Sequence, residues 1–310
     1  MATPRIPVMP SGAQHEIRHG DQRAFVVEVG GGLRSYVAAG DDVLDGYGAD
    51  EQCSGGRGQP LLPWPNRLRD GRYQFDGESF QLPLTELETH SAIHGLVRWV
   101  NWTAADHGPS HVVMEHVLHP QPGWPGTLAL RIEYALGESG LTVTTSATNV
   151  GSRDCPFGAG QHPYLTLGTA TIDSLTLQAP GARYLETDER GIPTASHPVQ
   201  DTELDFRSPR EIGPAQLDHA FTDLERGSDG IARVQLANPG TDRRLTLWVD
   251  DSYRYLMLFT GDTLAPARRR RGLAIEPMSC PPNALQSGEN LIRLAAGDTF
   301  TGRWGVEPSR

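Results

Sequence analysis

The sequence contains no lysine, so arginine accounts for all 27 of its basic residues. This absence excludes Schiff-base catalysis, a lysine general base and the lysine of a phosphate-binding P-loop. Cysteine is also scarce: Cys53, Cys155 and Cys280 are widely spaced and form no Cys-x-x-Cys pair. We therefore expect neither a disulfide framework nor a zinc knuckle, and we predict three unpaired thiols in a reducing compartment.

The chain also has little positive charge and no long apolar run. Its net charge is −11, whereas a nucleic-acid-binding protein needs a basic face. No stretch approaches the ~20 apolar residues of a membrane span. The first ten residues lack the apolar core of a secretory signal. We expect a cytoplasmic protein that has neither nucleic-acid nor membrane partners.

Helical periodicity is missing as well, and alternation of apolar and polar residues takes its place. Three pairs of alternating segments flank turn-forming residues and are predicted hairpins, namely residues 24–29 with 33–38, 128–136 with 141–150, and 233–237 with 244–249. Further strands are predicted at residues 253–260, 272–275 and 299–306, and a short helical turn within 283–294. Residues 181–214 read as a strand-poor surface excursion. Many short strands and Gly/Pro turns predict one all-β domain, an antiparallel β-sandwich spanning residues 1–310.

The first candidate for chemistry is the segment at residues 63–71. Two prolines stiffen the chain around Trp64 and Asn66, and Arg67 follows. An apolar ring beside amide and guanidinium donors suits a polyol, which offers a CH face and hydroxyl groups together. A structural turn with Arg67 in a salt bridge explains the same residues.

A second candidate is His94, which follows small and apolar residues and precedes a glycine that lets a ligand approach the backbone. His90 lies four residues earlier, but that spacing serves a metal on a helix, and this segment has no helical pattern. We therefore predict no metal site and assign His90 to the surface.

His162 and Glu276 are the two residues best suited to proton transfer. His162 follows Gly158, Ala159 and Gly160, which clear space, and Pro163 fixes the chain after it. Gln161 is a candidate sugar contact or a support for the histidine. A hydrogen-bonded core histidine is the alternative.

Glu276 ends an apolar strand, where burial of a carboxylate is costly unless it is paired or functional. Because Pro277 lacks a donor, the strand is expected to stop pairing there. Asp218 precedes an apolar pair, so it is either a pocket residue or a turn residue that caps its own backbone. The four arginines at 268–271 are expected to form a solvated loop, with a phosphate or sulfonate clamp as the alternative.

Five blocks, taken in order along the chain, resemble the aldose 1-epimerase (mutarotase) family. They are residues 63–71, 93–99, 158–165, 217–224 and 274–282, and residues 302–305 are also similar. The resemblance is greatest to the bacterial branch that has a Pro-Trp-Pro-Asn-Arg segment. It implies a large antiparallel β-sandwich of the galactose mutarotase type and interconversion of sugar anomers without metal or cofactor.

The resemblance also implies roles for individual residues. It makes His162 the general acid and Glu276 the general base, and it gives sugar-binding roles to Arg67, His94 and Asp218. Opening a pyranose requires a proton to leave the C1 hydroxyl and another to reach the ring oxygen, so this assignment expects an ionised Glu276 beside a protonated His162 near neutral pH. The two groups should titrate as a coupled pair.

Three alternatives stay open at this point. The substrate is a neutral aldose or an anionic one, such as a hexose phosphate or sulfosugar held by Arg67, Arg98 or the 268–271 run. A sugar-binding protein without turnover would retain the same residues. A glycosidase would need two carboxylates flanking the bond, for which the blocks offer Glu276 and Asp218. The sequence does not choose between a monomer and a homodimer.

Overall fold

The computed structural model describes residues 8–309 and is built almost entirely from antiparallel strands. The largest sheet has nine strands, in the spatial order Arg210–Glu211, Thr176–Gln178, Ala232–Ala237, Arg244–Val249, Thr299–Ser309, Gly140–Asn149, Leu128–Gly137, His111–Leu118 and Thr103–His107. A six-stranded sheet follows the order Tyr164–Leu165, Leu273–Met278, Tyr255–Phe259, Asp218–Leu224, Gly181–Thr187 and Pro193–Pro198. The predicted all-β antiparallel fold class is confirmed.

Smaller sheets complete the described part of the chain. One has four strands, Gln14–His19, Gln22–Val27, Leu33–Ala38 and Asp41–Asp42, and three others each pair two strands, Cys155–Phe157 with Ile292–Leu294, Arg67–Arg69 with Ser91–Ile93, and Arg72–Phe75 with Glu78–Gln81. The one α-helix in residues 8–309 is Ala284–Ser287, within the predicted helical turn. No helix in the same range is long and apolar enough to cross a membrane.

The three predicted hairpins are confirmed, and the sharpest of them forms the centre of the large sheet. Leu128–Gly137 and Gly140–Asn149 pair along their whole length, and every second side chain is buried. Apolar side chains on this face, among them Val143, belong to the same buried cluster as Leu256, Leu258 and Ile275 of the six-stranded sheet. The main core therefore lies against one face of each of the two large sheets.

The opposite face of the six-stranded sheet carries a different set of side chains. Because successive residues of a strand point to opposite faces, Ile275 faces the main core while Glu276 and Met278 face away from it. Met257 lies directly across from Glu276 on the neighbouring strand and belongs to a second, smaller buried cluster with Met278. This second face forms one wall of the cleft described below.

Two expectations about strands were wrong. Residues 181–214 are not strand-poor, because Gly181–Thr187 and Pro193–Pro198 extend the six-stranded sheet at its edge. Their polar composition and half-exposed side chains hide the alternation that reveals a strand.

The strand carrying Glu276 also does not stop at Pro277: it pairs as far as Met278. Ile275 directs its N–H to Pro163 O, and Ser279 directs its own to Ala159 O. The nitrogen of Pro277 faces the same side, so its missing donor costs nothing in the pairing with Tyr255–Phe259.

Candidate functional site

One cleft brings together residues from all five sequence blocks. Residues 302–305, which also resemble the family, do not line it. It is a cavity of about 570 Å³ whose lining includes Asn66, Arg67, His94, His162, Asp218 and Glu276. Another cavity, of about 670 Å³ beside Arg72 and Tyr73, is lined by no histidine, aspartate or glutamate. Volume alone does not select the site; the titratable side chains do.

His162 and Glu276 are in direct contact on the cleft wall. Nε2 of His162 lies 3.2 Å from Oε1 of Glu276, and both residues are about 95% buried or more. His162 Nδ1 and Glu276 Oε2 are buried and have no hydrogen-bond partner among residues 8–309. The pair therefore has hydrogen-bonding capacity that no protein group in this range uses.

Burial dominates the electrostatics of this pair. It raises the pKa of the Glu276 carboxyl well above its ordinary value, and the nearby charge of Asp218 raises it further while Arg67 opposes the shift. Burial also lowers the pKa of His162 to about 3, with smaller contributions from the Arg98 and Arg57 cations.

The expected ionised Glu276 beside a protonated His162 is therefore corrected, because burial favours the neutral form of both groups: it raises the pKa of Glu276 and lowers the pKa of His162. A protonated carboxyl beside a neutral imidazole holds the same number of protons as a carboxylate beside an imidazolium. The two states differ only in which group carries the proton.

His94 is held as a hydrogen-bond donor. The backbone N–H of Asn66 donates to His94 Nδ1 at 3.2 Å, and the His94 N–H donates to Asn66 O at 2.9 Å. Since Nδ1 accepts, the ring proton of the neutral imidazole is on Nε2. Burial and the charge of Arg98 lower the pKa of His94 well below its ordinary value, so the ring is neutral. Asn66 thus acts on the cleft through His94.

Arg67 and Asp218 are the principal charged groups beside the pair. Arg67 donates from Nε and Nη2 to the two carboxylate oxygens of Glu86, at 2.6 and 2.9 Å, so its guanidinium plane is fixed. Asp218 is accessible to solvent in the cleft, yet the surrounding walls remove enough water to raise the pKa of its carboxyl, with Arg67 opposing. Glu86 has no sequence signal that marks it as part of this site.

Trp64 and Gln161 lie behind the cleft and do not line it. Trp64 is 2% exposed and belongs to the main core. The Gln161 side-chain amide donates to Tyr134 Oη at 2.8 Å and to Gly58 O at 3.2 Å. Neither residue is part of the cleft lining, so their predicted sugar contacts have no support from the geometry of the cleft.

Several cleft residues escaped the sequence analysis or had no assigned role there. Met257 and Phe259 occupy alternate positions of one strand, so their shared face could have been predicted once Glu276 was placed opposite Met257. Trp99 is 52% exposed at the cleft, and Gly56 packs closely on the His162 ring. Neither position has a spacing that identifies it.

The arginine run lies outside the cleft and is only partly solvated: Arg269 and Arg271 are exposed, whereas Arg268 and Arg270 are half-buried in ion pairs. Arg268 forms ion pairs with Asp45 and Glu51, and Arg270 pairs with Asp173 and Asp262 while its side chain is only 11% exposed. Neighbouring acids offset the charges of Arg268 and Arg270, and water reaches Arg269 and Arg271. No set of three His, Cys, Asp or Glu side chains within residues 8–309 is grouped as metal ligands are. The three cysteines are buried and unpaired, as predicted.

Comparison with known sequences relates this chain to one family. The family model described as aldose 1-epimerase matches residues 13–306. YihR, an uncharacterized protein of Escherichia coli K12, is 32% identical over 288 residues, which cover 93% of this chain and 90% of YihR. The aldose 1-epimerase of the same strain is 27% identical over 272 residues, which cover 79% of this chain and 77% of that enzyme.

Solved structures show the same fold. A Caenorhabditis elegans homologue of GalM and aldose epimerase has a TM-score of 0.87 at 19% identity, covering 96% of this chain and 99% of that one. A putative aldose 1-epimerase from Escherichia coli K12 has a TM-score of 0.82 at 22% identity, with coverages of 96% and 99%. At these identities the likeness shows the fold alone.

Proposed function

The chain belongs to the aldose 1-epimerase family, and we propose that its cleft interconverts the α and β anomers of an aldose with His162 and Glu276 as the proton-transfer pair. The observation that carries the proposal is the 3.2 Å contact between His162 Nε2 and Glu276 Oε1 in a cavity that also holds Arg67, His94 and Asp218. A base and an acid this close are able to serve the two neighbouring oxygens of one hemiacetal.

The reaction moves one proton through the sugar. The Glu276 carboxylate takes the proton of the C1 hydroxyl while the His162 imidazolium gives its proton to the ring oxygen, and the C1–ring-oxygen bond breaks to leave the aldehyde. Rotation about the C1–C2 bond presents the other face of the carbonyl. The reverse transfers then close the ring as the opposite anomer and restore both side chains.

The neutral pair that burial favours has a defined place in this cycle. A protonated Glu276 beside a neutral His162 is the state that ring opening produces. Before opening, the proton has to be on His162, so bound sugar must favour the ionised arrangement. Hydroxyl groups that donate to Glu276, together with the positive charge of Arg67, stabilise the carboxylate in this way.

The remaining cleft residues supply contacts suited to a sugar. Arg67 and the Nε2–H of His94 donate hydrogen bonds, and Asp218 accepts them. Met257 and Phe259 give an apolar surface for the CH face of the ring. Asn66 lines the cleft as a further candidate sugar contact, and its backbone N–H also holds His94.

NMR exchange spectroscopy between the two anomers tests the proposal. Wild-type protein should exchange the anomers of at least one aldose, and Glu276→Gln should slow the exchange by at least about 10²-fold. Glu289→Gln, which changes an exposed glutamate outside the cleft, is the matched control. Saturable sugar binding without exchange in wild type would identify a binding protein, and cleavage of a glycoside would identify a glycosidase; both contradict the proposal.

A second candidate, an epimerase for an anionic aldose, rests on Arg98. This arginine lines the cleft, donates from Nη2 to Ile93 O at 3.2 Å, and has a buried Nε without a hydrogen-bond partner among residues 8–309. It forms no ion pair with a carboxylate in that range, whereas Arg67 is occupied by Glu86 and the 268–271 run lies elsewhere.

A partly buried cation that forms no ion pair with a carboxylate in residues 8–309 favours an anionic group on the ligand. We propose that Arg98 holds a phosphate, sulfonate or carboxylate carried by the sugar. The test compares glucose with its 6-phosphate, its 6-deoxy-6-sulfonate and its uronate. Arg98→Gln should lower the anionic-to-neutral ratio of kcat/KM at least about tenfold, and the exposed Arg269→Gln should not change it. A ratio near one in wild type would reject the anionic candidate and leave the epimerase proposal intact.

A further inference from the structure

A buried ion pair contacts the same aromatic ring on which the His162 imidazole stacks. The His162 imidazole stacks on the Tyr164 ring with centroids 4.9 Å apart and planes at 13°. The guanidinium carbon of Arg57 lies 4.5 Å from the centroid of the same ring. Arg57 in turn pairs with Asp45, Nη2 to Oδ2, at 3.0 Å, and their side chains are only 2% and 4% exposed.

We infer that the Asp45–Arg57 ion pair is a positioning device for the catalytic histidine, which holds the His162 ring through Tyr164 and sets the electric field around the shared proton. The inference rests on the proposed function of the His162–Glu276 pair. It assigns a role to two residues that do not line the cleft and touch no reacting atom.

Backbone contacts connect the ion pair to both stacked rings. The Asp45 N–H donates to Tyr164 O at 2.9 Å, and the Gly58 N–H donates to His162 O at 2.8 Å. Tyr164 Oη donates to Gly55 O at 3.0 Å, which fixes the phenol ring in its plane. The ion pair thus joins the two chain segments that fasten both rings of the stack, one at residue 45 and one at residues 55–58.

The charges of the ion pair matter in addition to its contacts. A buried ion pair is expensive to desolvate, and apolar residues of similar shape often hold a fold as well or better. If the pair served only to hold the two chain segments together, charged side chains would not be needed. Charges beside a proton-transfer pair, in contrast, act on the proton across a medium that screens them weakly.

The groups that face His162 are Glu276, Arg98, His94, Tyr164 and Arg57. Among them Arg57 is the cation whose own counter-ion, Asp45, is buried with it. Two further arginines approach Asp45, Arg268 at 3.5 Å and Arg271 at 3.7 Å, and connect the pair to the surface. Removing either partner therefore changes the field at His162 in a direction that is fixed by the sign of the lost charge.

The two single variants should move the pH dependence in opposite directions. The active state of the His162–Glu276 pair holds one proton. Activity is therefore lost at low pH, where the pair gains a second proton, and at high pH, where it loses the first. Arg57→Gln removes a positive charge, which makes protonation easier, so both limbs of the kcat profile move to higher pH by about 0.5–1 unit. Asp45→Asn removes a negative charge and moves both limbs to lower pH by a similar amount.

Arg57→Lys separates charge from geometry and protects the test against a variant that does not fold. It keeps the positive charge and a partner for Asp45 but lacks the planar guanidinium that stacks on Tyr164. Its pH limbs should stay within about 0.3 unit of wild type, while kcat falls about tenfold and KM changes less than twofold. Unchanged kcat in Arg57→Lys would overturn the positioning role.

The decisive experiment combines these profiles with an NMR titration of the His162 imidazole in the full-length protein. The titration needs no turnover, so it reports on the ion pair even if the chain does not exchange sugar anomers. Opposite shifts in Arg57→Gln and Asp45→Asn support the inference. Shifts of the same sign, or none in either variant, overturn it. Absence of anomer exchange in wild type would reject the proposed function instead.

Discussion

The guanidinium of Arg67 and the carboxylate of Glu86 form a two-bond ion pair on the wall of the cleft, with N–O distances of 2.6 and 2.9 Å. The pair fixes the plane of Arg67 and leaves its third nitrogen, Nη1, free of Glu86. Glu86 therefore orients a group that we expect to bind the sugar, although Glu86 itself carries no recognisable motif.

Glu86→Gln should weaken sugar binding more than it slows the chemistry. The amide cannot accept two bonds from Arg67, so the guanidinium loses its fixed plane. We expect KM to rise about tenfold and kcat to fall less than threefold. Steady-state rates of anomer exchange at several sugar concentrations check this. Loss of kcat at unchanged KM would contradict it and would place Glu86 in the proton-transfer step.

Gly56→Ala should displace the His162 ring. A Cβ at Gly56 would lie 2.8 Å from His162 Cδ2, and the backbone there has φ of +72°. We expect kcat to fall at least about tenfold, because small displacements of a proton-transfer group are costly. Gly230→Ala is the matched control, since its φ is +78° and a Cβ would meet no atom within 4 Å. Equal losses in the two variants would attribute the effect to backbone strain alone.

Glu276→Gln should be more stable than wild type, and the difference in stability should grow as the pH rises. The folded-state pKa of Glu276 is raised, so above the ordinary pKa of a glutamate the unfolded chain gains from ionisation while the folded chain resists it. Wild type loses this stability progressively until the pH passes the raised folded pKa. The gain in Tm of Glu276→Gln over wild type should be larger at pH 8 than at pH 5. A gain that is the same at both pH values would show that the carboxyl is not held in its neutral form.

Gln161→Met should destabilise the fold without changing sugar binding. Its amide donates to Tyr134 and Gly58 behind the cleft, and the substitution leaves the buried Tyr134 hydroxyl without that donor. We expect a loss of about 1–3 kcal/mol in the free energy of unfolding. Denaturant unfolding measures the loss, and KM for the sugar should stay within about twofold. A large rise in KM would restore Gln161 as a direct sugar contact.

The fold was predictable where alternation is long and the turns are explicit. Leu128–Gly137 and Gly140–Asn149 alternate for ten residues each and are joined by turn-forming residues, so their pairing follows from the sequence. Gly181–Thr187 was missed because its polar and half-exposed side chains do not alternate regularly, although the strand pairs on both sides. The effect of Pro277 depended on which side its nitrogen faces, which only the neighbouring strands decide.

The sequence pattern marked His162 and Glu276 as candidates but left a core histidine and a structural glutamate as alternatives, and only the family resemblance implied their roles. The structure places the two side chains together in one cleft. Their contact depends on pairings between distant segments. Their charge state depends on how completely the sandwich buries them. The sequence also does not show which side chains of the rigid segment around Trp64 face the core and which face the cleft.

The central claim is that His162 and Glu276 act as one unit on one shared proton. A double-mutant cycle on the rate of anomer exchange tests it, with His162→Asn, Glu276→Gln and both together, measured by NMR exchange spectroscopy at saturating sugar. The account predicts that each single variant loses at least about 10²-fold and that the double variant is no slower than the worse single one. Losses that multiply in the double variant, or a single variant that exchanges anomers at the wild-type rate, would contradict it.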